Sequence, residues 1–242
     1  MKKIFALIAI GFLTSCAELQ QVLLETASTT NPALSNLDIA NGLKQALKKG
    51  VDEEVTKLTQ ADGFLGNAAV KIMLPQELTT MDERLRSMGL GYLPDKGMEL
   101  LNRAAEDAVK EATPIFVSAI QNMSFADARN ILMGHDSSAT NYLRSSTTDS
   151  LYAKFYPVVE TSLSKVGADE AWNSVTSTYN KIPFITKVNP DLKDYVTLKA
   201  LDGVFKMITV EEKDIRNDLG ARSSDLLKRV FALQDKKQGG QE

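Results

Sequence analysis

Apolar side chains recur every three or four positions over most of the chain, which is the spacing of one face of an α-helix. The clearest stretch begins after Ser35 and continues to Leu58. Its apolar positions are Leu37, Ile39, Leu43, Leu47, Val51, Val55 and Leu58. This pattern predicts a long amphipathic helix with one face in the core.

Residues that commonly start or end helices divide the rest of the chain into further segments. Ser124 and Asp127 have the spacing of a capping box, and Pro94 is placed to open a helix. Gly89 and Gly167 stand where left-handed closing residues are expected. The later segments predicted from apolar spacing are residues 151–166 with a bend at Pro157, 172–179, 192–208, a separate helix after 208 capped by Thr209 and Glu212, and 224–233.

The predicted fold class is all-α, because no region shows several alternating segments joined by hairpin turns. No fixed period recurs along the chain, which disfavours a solenoid. We therefore predict a single, non-repeat, multi-helix globular domain over residues 35–234. Residues 235–242 are polar and are predicted to form a disordered tail.

The N-terminus has the features of a bacterial export signal. Lys2 and Lys3 precede a run, residues 4–13, in which every residue is apolar or Gly. A spanning helix needs about 20 apolar residues, so this run is too short for a permanent membrane anchor. We predict a signal peptide over residues 1–15 and a tether over residues 16–34.

The end of this run resembles the bacterial lipobox, in which a branched apolar residue and two small residues precede a cysteine. The matching residues are Leu13, Thr14, Ser15 and Cys16. The resemblance implies cleavage before Cys16 and acylation of Cys16, which would anchor the protein to a lipid bilayer. The alternative is an ordinary signal peptide with a coincidental cysteine, although Cys16 is the chain's only cysteine.

The net charge of the chain and the residue after Cys16 indicate where the protein lies in the cell and which classes of partner it can bind. The chain has 28 basic and 31 acidic residues, and loss of Lys2 and Lys3 with the signal leaves 26 basic residues. Acidic and basic residues are interleaved along the chain and acidic ones are in excess, so the sequence predicts no basic patch that would bind nucleic acid. Residue 17 is Ala and not Asp, which resembles the default signal for the outer membrane. We expect the domain on the periplasmic face of that membrane.

Several stretches together resemble the bacterial lipoproteins of the domain-of-unknown-function family DUF4197. The matching residues are Asn102 to Glu106, Asp127 to Gly134, Ala139 to Tyr142, Lys199 to Phe205, Ile215, Arg216 and Arg222. The resemblance extends from about Leu37 to Phe231. It implies an exported, helical lipoprotein but no established reaction.

Common catalytic and metal-binding motifs are missing from the sequence. His135 is the only histidine, and its position after Gly134 is typical of a loop residue. The sequence contains no zinc-protease, phosphate-loop or nucleophile-elbow motif. We therefore expect neither a metal site nor a cofactor.

The candidate site residues are charged or hydroxyl-bearing residues within otherwise apolar helical stretches. They are Arg103, Glu106, Asp127, Thr140, Tyr142, Arg144, Asp202, Glu212, Arg216 and Arg222. One interpretation is a structural network of salt bridges. The other is a polar pocket for an anionic ligand, lined by Arg103, Glu106, Asp127 and Arg144. We expect Asp202 to be buried and paired with Arg216 or Arg222, because Leu201, Val204 and Phe205 surround it in sequence.

Three functions are compatible with these sequence features. The first is a non-enzymatic, lipid-anchored envelope module that binds an envelope protein or a small ligand. The second is a periplasmic hydrolase of cell-wall or sugar polymers that uses two carboxylates, for which Glu106 and Asp127 are the candidates. The third is a carrier of lipids or other apolar ligands.

Overall fold

The structure, a computed structural model, describes residues 34–75, 79–181, 183, 184, 187, 189 and 191–238. Contacts between Cα atoms divide the chain into a unit of residues Met1–Ser35 and a unit of residues Asn36–Glu242. The predicted signal peptide, Cys16 and nearly all of the predicted tether lie outside the described residues. The predictions about them therefore remain predictions.

Helices account for nearly all regular structure in the described residues, which contain no strand. The helices are α1 (Asn36–Leu58), α2 (Thr79–Ser87), α3 (Tyr92–Val109), α4 (Ala112–Asn122), α5 (Phe125–Leu132), α6 (Ser138–Ser164), α7 (Ala168–Tyr179), α8 (Leu192–Asn217) and α9 (Asp225–Gln238), with a 3₁₀ turn at Leu219–Ala221. The predicted all-α class is confirmed. None of these helices is long and apolar enough to cross a membrane.

The core forms where α6 packs against α3 and α8, with α1 covering α8 and α4. The largest core side chains are aromatic and leucine residues, which remove the most apolar area from water. Phe116 of α4 meets Phe205 of α8 edge to face, with ring centroids 5.8 Å apart. Phe155 and Leu151 of α6 are fully buried in the same core.

Local signals in the sequence placed several helix ends correctly. Ser124 and Asp127 form the predicted capping box at the start of α5. Gly89 and Gly167 have φ angles of +75° and +65°, so each adopts the left-handed conformation that glycine tolerates best. Pro94 lies in the first turn of α3, where its missing N–H costs nothing.

The predicted boundary between residues 208 and 209 is wrong, because α8 continues without a break from Leu192 to Asn217. The hydroxyl of Thr209 donates to the carbonyl of Phe205 at 2.8 Å, within the helix, and caps nothing. Glu212 accepts from the Thr140 N–H of α6 and not from the backbone of Thr209. The last helix also runs to Gln238, beyond the predicted domain end at residue 234.

A segment without helix or strand, residues 69–75, begins in a turn and contacts α3 and α8. Asn102 of α3 replaces a strand partner for Ile72: its side chain accepts from the Ile72 N–H and donates to the Ile72 carbonyl, both at 2.8 Å. The hydroxyl of Tyr195 donates to the Met73 carbonyl at 2.8 Å. Lys206 donates to the Ala69 carbonyl at 2.8 Å. These contacts hold the 69–75 segment in place without a sheet.

Candidate functional site

Glu212 of α8 caps the start of α6. Its carboxylate accepts from the backbone N–H groups of Ala139 and Thr140, at 2.9 and 2.8 Å, and from the Thr140 hydroxyl at 2.8 Å. Ser137, the residue before α6, makes no capping bond with its own side chain. A buried carboxylate from a distant helix therefore satisfies N–H groups that a helix start leaves unpaired.

Arg216 lies one turn further along α8 and holds the end of α5. Its guanidinium donates to the carbonyls of Ile131 and Leu132, at 2.8 and 3.2 Å, and to Glu212 at 2.8 Å. Gln234 of α9 accepts a further bond at 2.9 Å. The side chain is 1 % exposed. Every contact of this arginine is therefore made inside the protein, where an unpaired charge would be costly.

Arg222 ends the same network. Its guanidinium donates to the carbonyls of Ile215 and Arg216, at 3.0 and 2.7 Å, which closes the end of α8. It also forms a two-pronged ion pair with Asp235, at 2.7 and 3.0 Å. Asp235 stands at the start of the predicted tail, yet it belongs to α9 and fixes that helix to α8.

Arg103 and Glu106 of α3 form a second cluster with the loop after α1. Glu106 is buried and accepts from the N–H groups of Phe64 and Leu65, at 3.1 and 3.5 Å. Arg103 donates to Glu106 and to Asp62, both at 2.7 Å. Hydrogen bonds to these two carboxylates raise the pKa of Arg103, which stays fully charged. The cluster fixes the loop on α3.

Asp127 and Tyr142 have different roles, although the charge of Asp127 reaches Tyr142. Asp127 accepts from the Ser124 N–H at 3.1 Å and so is committed to the cap of α5. Tyr142 is half-buried in a groove of about 640 Å³ between α4 and α6, with Ser146 and Lys154 on the same side. Burial, followed by the negative charge of Asp127, raises the pKa of the Tyr142 phenol.

The expected environment of Asp202 is wrong. Its side chain is 67 % exposed and pairs with Arg144 of α6 at 3.4 Å, and not with Arg216 or Arg222. The reason is helical geometry: Leu201, Val204 and Phe205 face the core, whereas residue 202 lies about 100° away from Leu201 on the outer side of α8. Arg144 lies over the Phe205 ring, with its guanidinium carbon 4.4 Å from the centroid.

The contacts of the ten candidate residues thus divide them into several groups. Of the four proposed lining residues, Arg103 and Glu106 pair with each other, while Asp127 caps α5 and Arg144 pairs with Asp202. The buried members make contacts that favour the structural interpretation. In the described part of the chain, no group of three His, Cys, Asp or Glu residues is arranged to hold a metal ion.

Sequence reasoning missed two grooves that flank the 69–75 segment. The first, called here the apolar groove, has a volume of about 390 Å³ and lies between α3, α7 and the turn that joins α6 to α7. The second, called here the lysine groove, has a volume of about 550 Å³ and lies between the 69–75 segment and α8. A sequence signal for the second exists: Tyr195, Lys199, Asp202 and Lys206 recur at helical spacing on one face of α8.

Comparisons with known proteins identify the family and nothing finer. No curated protein and no solved structure matches the chain. A family model, in contrast, matches residues 33–232, which include all nine helices of the described residues except the end of α9. The chain therefore belongs to the family described as Protein of unknown function (DUF4197), as its sequence motifs indicate.

Proposed function

We propose that the mature protein is a lipid-anchored, non-enzymatic module of the bacterial cell envelope that binds a partner at the membrane surface. The anchor is Cys16, which follows a short apolar signal and two small residues. Ala17 supports transfer to the outer membrane, with the domain in the periplasm. The partner would be an envelope protein or a small ligand, and no nucleic acid.

The observation that supports a non-enzymatic role is the use of two buried carboxylates, one of which, Glu106, is a candidate of the alternative hydrolase. Glu106 and Glu212 each accept two backbone N–H groups and pair with an arginine. A general acid or base must present its carboxyl group to a substrate, within hydrogen-bond distance of the atom whose proton moves. Carboxylates committed on all sides to helix ends and loops support a structural role.

The anchor is tested by replacing Cys16 with Ala in the native host. We expect the wild-type protein to incorporate labelled palmitate and to sediment with membranes. The Cys16→Ala variant is expected to incorporate no palmitate and to move to the unprocessed or released pool. Unchanged membrane association of this variant would contradict the lipid anchor.

The proposal that the protein is not an enzyme is tested with purified cell-wall sacculi, which would be the substrate of the alternative hydrolase. We expect no soluble sugar or peptide fragments to appear during incubation with the protein. Release of fragments by the wild-type protein that is abolished by Asp127→Asn, with α-helical content unchanged by circular dichroism, would overturn this part of the proposal.

A further inference from the structure

We propose that the apolar groove and the lysine groove together form one binding site for an anionic phospholipid. Its acyl chain would occupy the apolar groove, and its phosphate would lie against the lysines. This inference deepens the proposed binding function, since it names the ligand class, but it does not depend on the lipid at Cys16.

The apolar groove suits a hydrocarbon chain. Its walls include Leu93, Gly97 and Leu100 of α3, Val166 of the α6–α7 turn and Trp172 of α7. Leu93 and Val166 are 46 % and 52 % exposed, so apolar surface faces solvent here. The volume of about 390 Å³ falls within the range of small-molecule sites.

The chemistry of this groove favours an acyl chain over a peptide. Among the described residues that line it, Lys96 is the only charged one, and Lys96 already pairs with Glu99 at 2.8 Å. The indole N–H of Trp172 donates to the Asn189 carbonyl at 3.1 Å. A peptide would bring backbone N–H and C=O groups that need hydrogen-bond partners, whereas a hydrocarbon chain brings none.

The lysine groove carries the opposite charge to the protein as a whole. Lys71, Lys199 and Lys206 line it, and Asp202 is its only acidic residue in the described part of the chain. Arg144 pairs with Asp202 at 3.4 Å, so the cations at and beside this groove outnumber its one carboxylate. A local excess of positive charge on an acidic protein favours an anionic ligand at this position.

The two grooves share a boundary, so one ligand with an acyl chain and a charged group can occupy both. Leu74 lines both of them. Trp172 of the apolar groove also stacks on Tyr195 of the lysine groove, with ring centroids 6.2 Å apart. A ligand that spans this boundary needs an apolar part beside an anionic part, as a phospholipid of the membrane has. Trp and Tyr side chains are typical residues at such boundaries.

The test is native mass spectrometry of the mature, lipidated protein in a short-chain non-ionic detergent. The probes are dioleoyl phosphatidylglycerol, dioleoyl phosphatidylcholine and inorganic phosphate. We expect one bound phosphatidylglycerol per chain. Because each lysine near an anionic headgroup contributes roughly a fivefold gain in affinity, phosphatidylcholine should bind at least tenfold more weakly. Phosphate alone should bind more weakly still, since it lacks the acyl chain.

Two variants separate the two halves of the site. Gly97→Leu fills the apolar groove, and a side chain there meets no atom within 4 Å of its Cβ position, so the fold has room for it. Leu also favours a helix more than Gly does. We expect at least tenfold weaker lipid binding with an unchanged or higher melting temperature. Lys71→Gln with Lys199→Gln, which keeps the bond from Lys206 to the Ala69 carbonyl, should reduce phosphatidylglycerol binding to the level of phosphatidylcholine.

Lys213→Gln is the matched control, because Lys213 is an exposed lysine of α8 that does not line the groove. It should leave phosphatidylglycerol binding unchanged. The proposal is overturned if phosphatidylcholine binds as tightly as phosphatidylglycerol, if Gly97→Leu binds normally, or if phosphate alone binds as tightly as the lipid. A wild-type protein that is membrane-anchored through Cys16 but binds no phosphatidylglycerol would overturn this inference alone and leave the anchor intact.

Discussion

Glu212 and Arg216 lie one turn apart on α8 and connect the end of one helix to the start of the next. Glu212 accepts from the Thr140 N–H at 2.8 Å at the start of α6, and Arg216 donates to the Ile131 carbonyl at 2.8 Å at the end of α5. The negative charge thus meets the positive end of a helix dipole, and the positive charge meets a negative end. This arrangement fixes the end of α5 and the start of α6 against α8.

Replacing Glu212 with Gln should destabilise the protein by about 3 kcal/mol or more, because Arg216 would remain buried without its counter-charge. The measurement is the free energy of unfolding in urea at neutral pH. Glu160→Gln is the control, since Glu160 is exposed, pairs with Lys193 at the surface and should change stability by less than about 1 kcal/mol. Equal, small effects of both substitutions would contradict the structural role of Glu212.

Asp202→Ala should change the free energy of unfolding by less than about 1 kcal/mol, because both partners of its ion pair are exposed. Arg144→Ala should cost more than Asp202→Ala, since Arg144 also covers the buried Phe205 ring. Thermal and urea unfolding of both variants check this order. A larger loss of stability for Asp202→Ala than for Arg144→Ala would contradict this order and would indicate that the Asp202 carboxylate stabilises the fold despite its exposure.

The features that could be predicted from the sequence are those set by neighbours in the chain. Apolar spacing predicted α1, because residues three and four apart share a helix face whatever the helix packs against. The Ser124–Asp127 cap was predictable for the same reason: both partners lie within one turn. The left-handed closing residues Gly89 and Gly167 were also marked by local composition.

The contacts of Glu212 could not be predicted in this way, since its partners Ala139 and Thr140 lie more than 70 positions away in sequence. The pair Thr209 and Glu212 has the spacing of a capping box, but the same spacing is allowed inside a helix. The grooves on both sides of Leu74 arise where several segments from distant parts of the sequence meet, and no local pattern in the sequence indicates that meeting.

Asn102→Leu should destabilise the protein by about 2 kcal/mol or more. The side chain of Asn102 is buried and bonds both the N–H and the carbonyl of Ile72, at 2.8 Å each, and leucine would leave both without a partner. Hydrogen exchange at Ile72 should accelerate more than exchange in α6. Asn122→Leu, at an exposed site of α4, is the control and should have little effect. Unchanged protection of Ile72 would show that Asn102 does not hold the 69–75 segment.

The contact between α1 and α8 contains a carboxyl group with an altered pKa. Burial, followed by the negative charges of Glu53 and Glu54, raises the pKa of Glu211 above its usual range, while Lys57 and Lys49 oppose this shift. One carboxylate oxygen of Glu54 is itself buried without a hydrogen-bond partner. The folded state therefore binds the Glu211 proton more tightly than the unfolded state does.

It follows that the contribution of Glu211 to stability is complete below its unfolded pKa of about 4.3 and is lost as the pH rises through the higher folded pKa. Glu211→Gln, which is neutral at every pH, should be more stable than the wild-type protein at pH 7 and should lose this advantage near pH 4. Urea unfolding across this range measures the difference. Asp214→Asn, at an exposed position of the same helix, is the control. An advantage of Glu211→Gln that is constant with pH would mean that its cause is packing and not charge.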